Sequence, residues 1–282
     1  MVKILSDSTC DLSQELLEKY DISILPLHIL LGEKEYCDGV DITPDEIFQW
    51  SDAQKTTPKT SAPALDMAME LLEPFVKEKQ PVICFSISED MSTSANVMRM
   101  AASELEAEDL VTVIDSASLS TGIGLLVLHA AEMAQAGKNV EEIQTEIEEL
   151  KSKVRASFVV DTLVYLYRGG RCSGLAAMFG SALHLHPMIV VENGKMHSSK
   201  KYRGKLSKVI LDYAKDLKEQ MEQARSERVF ITHSGCSPEV VEKVQNFLEE
   251  LHIFDEILIT RAGGVISSHC GPGTLGVLFI EK

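Results

Sequence analysis

The sequence predicts an α/β protein built as two domains. Three observations predict it. Its 282 residues correspond to about two domains at roughly 100–200 residues each. In the first half, short apolar runs alternate with helix-patterned stretches, the signature of a Rossmann-like parallel sheet covered by helices on both faces. In the second half an Asn-Gly hairpin signal is mixed with βα units, which implies a mixed sheet.

Val2 to Leu5 reads as a first strand, and Ser13 to Tyr20 as a helix with Ser13 as its N-cap. Ser23 to Leu31 reads as a second strand interrupted by Pro26. Pro81 to Ile87 is a buried strand, and an amphipathic helix opens at Ser92. Val111 to Asp115 is a strand and Gly122 to Ala136 a helix. Val140 to Val154 is a charged helix with Ile143, Ile147 and Leu150 at helical spacing. The domain boundary is set where that helix ends, between Lys153 and Ser157, giving an N-terminal domain over 1–155 and a C-terminal domain over 156–282. Beyond it, Phe158 to Val160 and Met188 to Val191 are strands, with Asn193-Gly194 at a hairpin tip. Leu206 to Ala224 is one long helix. Val229 to Thr232, Glu256 to Thr260 and Leu275 to Ile280 are strands, with a helix over Pro238 to Leu251.

Asp and Glu number 43 against 27 Lys and Arg, a formal charge of −16. Such a chain is repelled by a phosphate backbone, so nucleic acid is not an expected partner. One basic stretch stands out, with Lys195, Lys200, Lys201, Arg203 and Lys205 around His197. It is either a solvated hairpin or a docking surface for an acidic partner. The six cysteines are scattered with no C-x-x-C pair, against a zinc ribbon or a disulfide framework. Polar residues follow at once after the N-terminus, and no apolar run approaches the ~18 residues of a membrane span. A soluble, reducing, cytoplasmic setting is expected.

Several strands end in Ser/Thr/Gly-rich loops, where open α/β sheets bind ligands. These are Ser6 to Asp11, Lys59 to Pro63, Ser86 to Ser94, Asp115-Ser116, Arg168 to Arg171 and Ser268 to Gly273. Ser92 follows a buried strand and opens a helix, so its hydroxyl either caps the helix or donates to an anion there. Thr60 and Ser61, before Pro63, serve a ligand or start a helix. His269 is read in a glycine-rich turn between two strands, where backbone can approach a ligand and an imidazole suits a carboxylate. His184 and His186 share a strand face but lack a nearby third ligand, a weak metal pair. There is no phosphate loop of the G-x-x-x-x-G-K-[ST] kind, no H-E-x-x-H and no G-x-S-x-G elbow. What remains is many hydroxyls and one histidine, suited to a small anionic head group.

At these loops the chain resembles the DegV family. SDSTCDL at 6–12, KTSAP at 59–63, SIS…MSTS at 86–94, VIDS at 113–116, YLYRGGR at 165–171 and SSHCGPGTLGV at 267–277 occur in register along the chain. The resemblance implies a two-domain fatty-acid-binding protein whose long-chain fatty acid lies deep between the domains. It implies no catalysis and no cofactor beyond that lipid. A separate ATP-binding fatty-acid kinase subunit would phosphorylate the presented carboxylate to an acyl phosphate. Carried over by position, carboxylate binding falls on Thr60, Ser61, Ser92 and His269. Arg171 falls on the head-group rim, and Arg203 on the region that docks the kinase. Transient contact with a membrane is compatible with this role. The chain departs from the family pattern at Thr93-Ser94, where Gly-Thr is usual, at Ala64, where Ser is usual, and at Cys172, where an apolar residue is usual.

Two other readings stand beside this one. A serine hydrolase or acyltransferase would use Ser92 and His269 with Asp7 or Asp161 as the orienting acid, since triads arise in any chain order. A lipid sensor or transport module would bind the acid with no kinase.

Overall fold

A computed structural model describes residues 1–173 and 185–282. The first half runs β1 (Lys3–Asp7), a 3-10 turn (Ser8–Cys10), α1 (Gln14–Lys19), β2 (Ile22–Leu25), β3 (His28–Leu31), β4 (Lys34–Cys37) and α2 (Pro44–Gln54). It continues through β5 (Lys59–Ser61), α3 (Leu65–Lys77), β6 (Val82–Ser86), α4 (Ser94–Glu104), β7 (Val111–Asp115), α5 (Thr121–Gln135) and α6 (Val140–Lys151). The second half runs β8 (Val154–Val159), α7 (Val164–Gly169), β9 (Cys172–Ser173), β10 (Leu185–Glu192), β11 (Lys195–Arg203), α8 (Leu206–Asp216) and α9 (Lys218–Met221). It closes with β12 (Arg228–Ser234), α10 (Pro238–Leu251), β13 (Glu256–Arg261), α11 (Gly264–Cys270) and β14 (Thr274–Ile280).

The fold is α/β with two main sheets, as expected. The first is parallel throughout, in the order β2-β1-β6-β7. Its central strands β1 and β6 are buried along their whole length. Alternate side chains point to opposite faces: Leu5 and Cys84 pack with Leu72 and Met98 from α3 and α4, whereas Ile4, Ile83 and Phe85 pack toward α5. The second sheet is mixed, in the order β13-β12-β14-β8-β10-β11-β9. Val229, Ile231, Val277 and Phe279 face α8 and α10 on one side. Phe158, Ile189, Phe230 and Leu278 face the other way and join the core that contains α5.

Helix α5 joins the two halves. Its sequence, TGIGLLVLHAAEMAQ, is apolar all round, as a helix between two sheets must be. Eleven of its residues, from Thr121 to Ala134, are buried. The chain leaves α6 at Lys151 and enters the mixed sheet at Val154, so β8 runs across the 155/156 position.

Several elements differ from the sequence expectation. Pro26 does not interrupt one strand; it separates two strands in different sheets. β3 joins β4 and β5 in a small antiparallel sheet that the sequence reading lacks. Val154 ends no helix but starts β8. The long helix expected over Leu206 to Ala224 breaks at Leu217 into α8 and α9. The hairpin is as expected: Glu192 pairs with Lys195, and Asn193 and Gly194 take φ of 50° and 77° at its tip, the positive values that a tight hairpin turn demands. Ser13 caps α1, accepting from the Leu16 amide.

Candidate functional site

A cavity of about 450 Å³ lies between the halves. Leu27, Ile87, Met91 and Leu119 wall it from the first half, Met196 and Ile266 from the second. Thr60, Ser61, Ser92, Arg171 and His269 gather at its polar end. Ser61, Thr93 and Arg171 are exposed there, so that end meets the surface. Leu119, Ile266 and Cys270 also border a void of about 20 Å³ that reaches Phe158, Gly276 and Leu278. The lining therefore combines buried apolar side chains with exposed polar ones, the acids Glu89 and Asp90 among them.

Thr60 and Ser61 stand on β5, paired with Ile29 and His28 of β3. They are strand residues and do not start a helix; α3 begins at Leu65. The strand gives Thr60 a fixed direction, and its Oγ1 lies 2.7 Å from Nε2 of His269. His269 is not in a glycine-rich turn. It sits in the last turn of α11, with the glycines Gly271 and Gly273 beyond it. Its other nitrogen, Nδ1, is buried without a hydrogen-bond partner. Burial, and then the nearby Arg171 guanidinium, hold this imidazole down at about 4, so it is neutral near pH 7.

Ser92 lies just outside α4. The helix begins at Ser94 with Thr93 as its N-cap, and Thr93 makes no side-chain cap bond. Ser92 Oγ accepts from the Ser94 amide at 3.3 Å and lies 2.9 Å from Ser94 Oγ. The hydroxyl thus borders the cavity while satisfying one free amide of the helix start. Arg171 follows the left-handed Gly170 that ends α7, and its guanidinium donates to the Gly169 carbonyl at 2.7 Å. Arg203 lies at the far end of β11 from Met196 and does not border the cavity. His184 falls outside the described residues. His186 is buried, its ring nitrogens 3.2 and 3.1 Å from the carbonyls of Val160 and Gly204. Among the described residues no three His, Cys, Asp or Glu side chains group as a metal site.

The hydrolase constellation is not assembled. His269 meets Thr60 rather than Ser92. Asp7 is buried, accepting from Thr9 and from the Ile87 amide. Asp161 lies 3.6 Å from His186. A nucleophile needs a base within hydrogen-bond reach and an acid behind that base, and these residues point elsewhere.

The sequence reading did not single out Asp11 and Asp38 as partners of His269's helix. Asp11 accepts from the Gly263 amide at 2.8 Å and Asp38 from the Gly264 amide at 2.7 Å. Asp11 was visible in SDSTCDL; no local signal marked Asp38. No helix among the described residues is long and apolar enough to cross a membrane.

The family model described as "Uncharacterised protein, DegV family" matches residues 1–282. A DegV domain-containing protein of Clostridium perfringens is 31% identical, covering 100% of this chain and 99% of the relative. A fatty-acid-binding DegV family protein from Thermus thermophilus superposes with a TM-score of 0.90 at 30% identity, over 100% of this chain and 99% of the other. A stearic-acid-binding protein from Eubacterium ventriosum gives 0.87 at 32% identity, with the same coverage.

Proposed function

This chain belongs to the DegV family, and on that premise we propose that it binds a long-chain fatty acid in the cavity between its halves. The observation that carries the reading is the lining itself, buried apolar side chains joined by hydroxyls, His269 and the exposed Arg171. The fatty acids bound by the Thermus thermophilus and Eubacterium ventriosum proteins support it. Burying an acyl tail of ~15 methylenes at about 0.8 kcal/mol each contributes on the order of 12 kcal/mol, from which loss of ligand freedom removes several.

The carboxylate would lie at the polar end. A buried carboxylate needs donors; Thr60, Ser61 and Ser92 supply them in this reading, and His269 takes part by orienting the Thr60 hydroxyl. With its proton on Nε2, neutral His269 donates to Thr60 Oγ1 and leaves the Thr60 hydroxyl free to donate to the ligand. The bare Nδ1 is consistent with that tautomer. Arg171 adds positive charge at the rim.

The chain would present this carboxylate, with no catalysis of its own, to a separate ATP-dependent kinase subunit that forms the acyl phosphate. Support comes from the exposed polar end and from the absence of a phosphate-binding loop in the sequence. Such a transfer needs positioning and charge neutralisation more than covalent help, so ATP and its metal would belong to the partner. Arg203, remote from the cavity on a basic strand, suits docking rather than ligand contact. A sensor without a kinase would need the same cavity and differs only in that partner.

Mass spectrometry of lipid extracted from the denatured protein tests the reading. One fatty acid per chain, lost in Ser92→Ala/His269→Ala, is expected. No lipid, and no uptake of added oleate or palmitate, would overturn it.

A further inference from the structure

Helix α11 carries His269 at its end, yet it has little of its own to hold it in place. It has seven residues, well short of the ~12–15 at which an isolated helix becomes marginal. Its N-cap is Gly263, which has no side chain to offer. The free amides at its start are instead taken by side chains from the opposite half of the molecule. The Gly263 amide donates to Asp11 Oδ1 at 2.8 Å, across 252 positions of sequence, and the Gly264 amide to Asp38 Oδ1 at 2.7 Å, across 226.

Both carboxylates are themselves held. The Ser120 hydroxyl donates to Asp11 Oδ2 at 2.5 Å, and the Ser8 hydroxyl to Asp38 Oδ2 at 2.8 Å. Asp11 and Asp38 are 5% and 2% exposed, and with Ser8 and Arg261 they also border a separate cavity of about 670 Å³. The fit leaves no slack. A Cβ on Gly264 would fall 2.5 Å from Ile29 Cδ1 and 2.9 Å from Asp38 Oδ1 and Ile47 Cδ1. His269 follows five positions later, about 7.5 Å along the axis at ~1.5 Å per residue. A rotation of α11 at its start therefore moves the imidazole directly, and the Thr60 contact at 2.7 Å tolerates little movement.

We propose that Asp11 and Asp38 are positioning residues of the carboxylate site: they grip the start of α11 from the first half and so fix where His269 meets Thr60. Neither touches the ligand; both act through His269. A hydroxyl cap would satisfy the amides more cheaply than two buried carboxyl groups, so the arrangement spends stability on placement. The inference rests on the reading of the cavity as a fatty-acid site.

The test compares palmitic acid with hexadecanol, which has the same chain and no carboxylate. Asp38→Ala and Asp11→Ala should each weaken palmitic acid by about tenfold or more while hexadecanol binds nearly as before. Asp38→Asn, whose amide oxygen still accepts from Gly264, should restore most of the acid affinity. Ser8→Ala, which only loosens Asp38, should give a smaller loss of the same kind and serves if an alanine variant fails to fold. The imidazole signals of His269 should shift in the variants that lose affinity. Equal losses for acid and alcohol, or an unchanged acid affinity, would overturn the proposal. A wild-type protein that fails to distinguish acid from alcohol would overturn the fatty-acid reading itself and the positioning role with it.

Discussion

Gly169 lies against the Nδ1 side of the His269 imidazole: a Cβ built on Gly169 would fall 2.4 Å from Nδ1 and 3.2 Å from Cε1. The ring therefore owes its place as much to a missing side chain on α7 as to Thr60 on its other edge. Gly169→Ala should by itself suit the last position of α7, since Ala has the higher helix propensity. It must nevertheless push the imidazole away from Thr60. The expected outcome is a folded protein with weaker fatty-acid binding, by about tenfold or more, read by titration calorimetry beside a thermal melt. A variant that binds normally would show that His269 can sit elsewhere.

The Thr60–His269 pair gives a sharper prediction. A hydrogen bond to a charged group contributes about 1.5–3 kcal/mol, or roughly 10- to 100-fold in affinity. Thr60→Val keeps the shape and removes the hydroxyl, so it should cost that much for a fatty acid and little for the matching alcohol. A bound carboxylate should also raise the imidazole from its value of about 4 in the free protein. Binding at pH 5 should then take up protons, visible as a dependence of the calorimetric heat on the buffer used. His269→Gln should abolish that dependence.

The parts of the fold that were legible in the sequence are those whose causes are local. Ser13 caps its own helix, Asn193-Gly194 makes its own turn, and β6 is five buried residues in a row. The parts that were not legible have distant causes. β3 and β5 are four and three residues long and are strands because they pair with each other. α11 is a helix because Asp11 and Asp38, more than 200 positions away, complete its first turn; from within, Gly263-Gly264 reads as punctuation. The same holds for the site. Thr60, Ser92, Arg171 and His269 entered the sequence reading through loop composition and family resemblance, and the fold brings them to one cavity. Nothing near Asp38 in sequence could have tied it to His269, and nothing near Asp161 could have shown that it faces His186 instead.

The buried acids shape stability against pH. Burial pushes the Asp11 carboxyl up to about 8, with Asp38 and Asp7 adding to the rise against hydrogen bonds from Ser120 and Gly263. Its ordinary value is near 4, so the folded chain holds a proton that the unfolded chain has released between those values. The Asp11 contribution is therefore complete below about pH 4 and is lost as pH climbs toward about 8. His269 has the opposite sign: its folded value of about 4 lies below the ordinary ~6.5, so its contribution is present above that and is lost as pH falls. Between about pH 6.5 and 8 the Asp11 slope is left unopposed by His269. The melting temperature should fall across that window, by up to about 1.4 kcal/mol of stability per pH unit, and Asp11→Asn should flatten the decline. An unchanged slope would place the Asp11 titration outside the window.

The hairpin tip supplies the last prediction. Ser88, buried in the loop that leads to Ser92, donates to the Gly194 carbonyl at 2.7 Å. A Cβ on Gly194 would lie 2.6 Å from Ser88 Oγ, and its φ is +77°. Two residues on, Met196 closes one side of the cavity. The contact thus fastens a strand of the mixed sheet over a loop of the first half, the loop whose Ser88 carbonyl also accepts from the Ser92 amide at 3.1 Å. Ser88→Ala leaves a buried carbonyl without its partner, which should cost about 1–3 kcal/mol in urea unfolding. It should also speed release of a bound acid in stopped-flow displacement, because Met196 is less firmly held. Since Ser88 is not among the groups assigned to the carboxylate, the release of acid and of the matching alcohol should quicken by the same factor. A change confined to the acid would show that the hairpin acts on the head group after all.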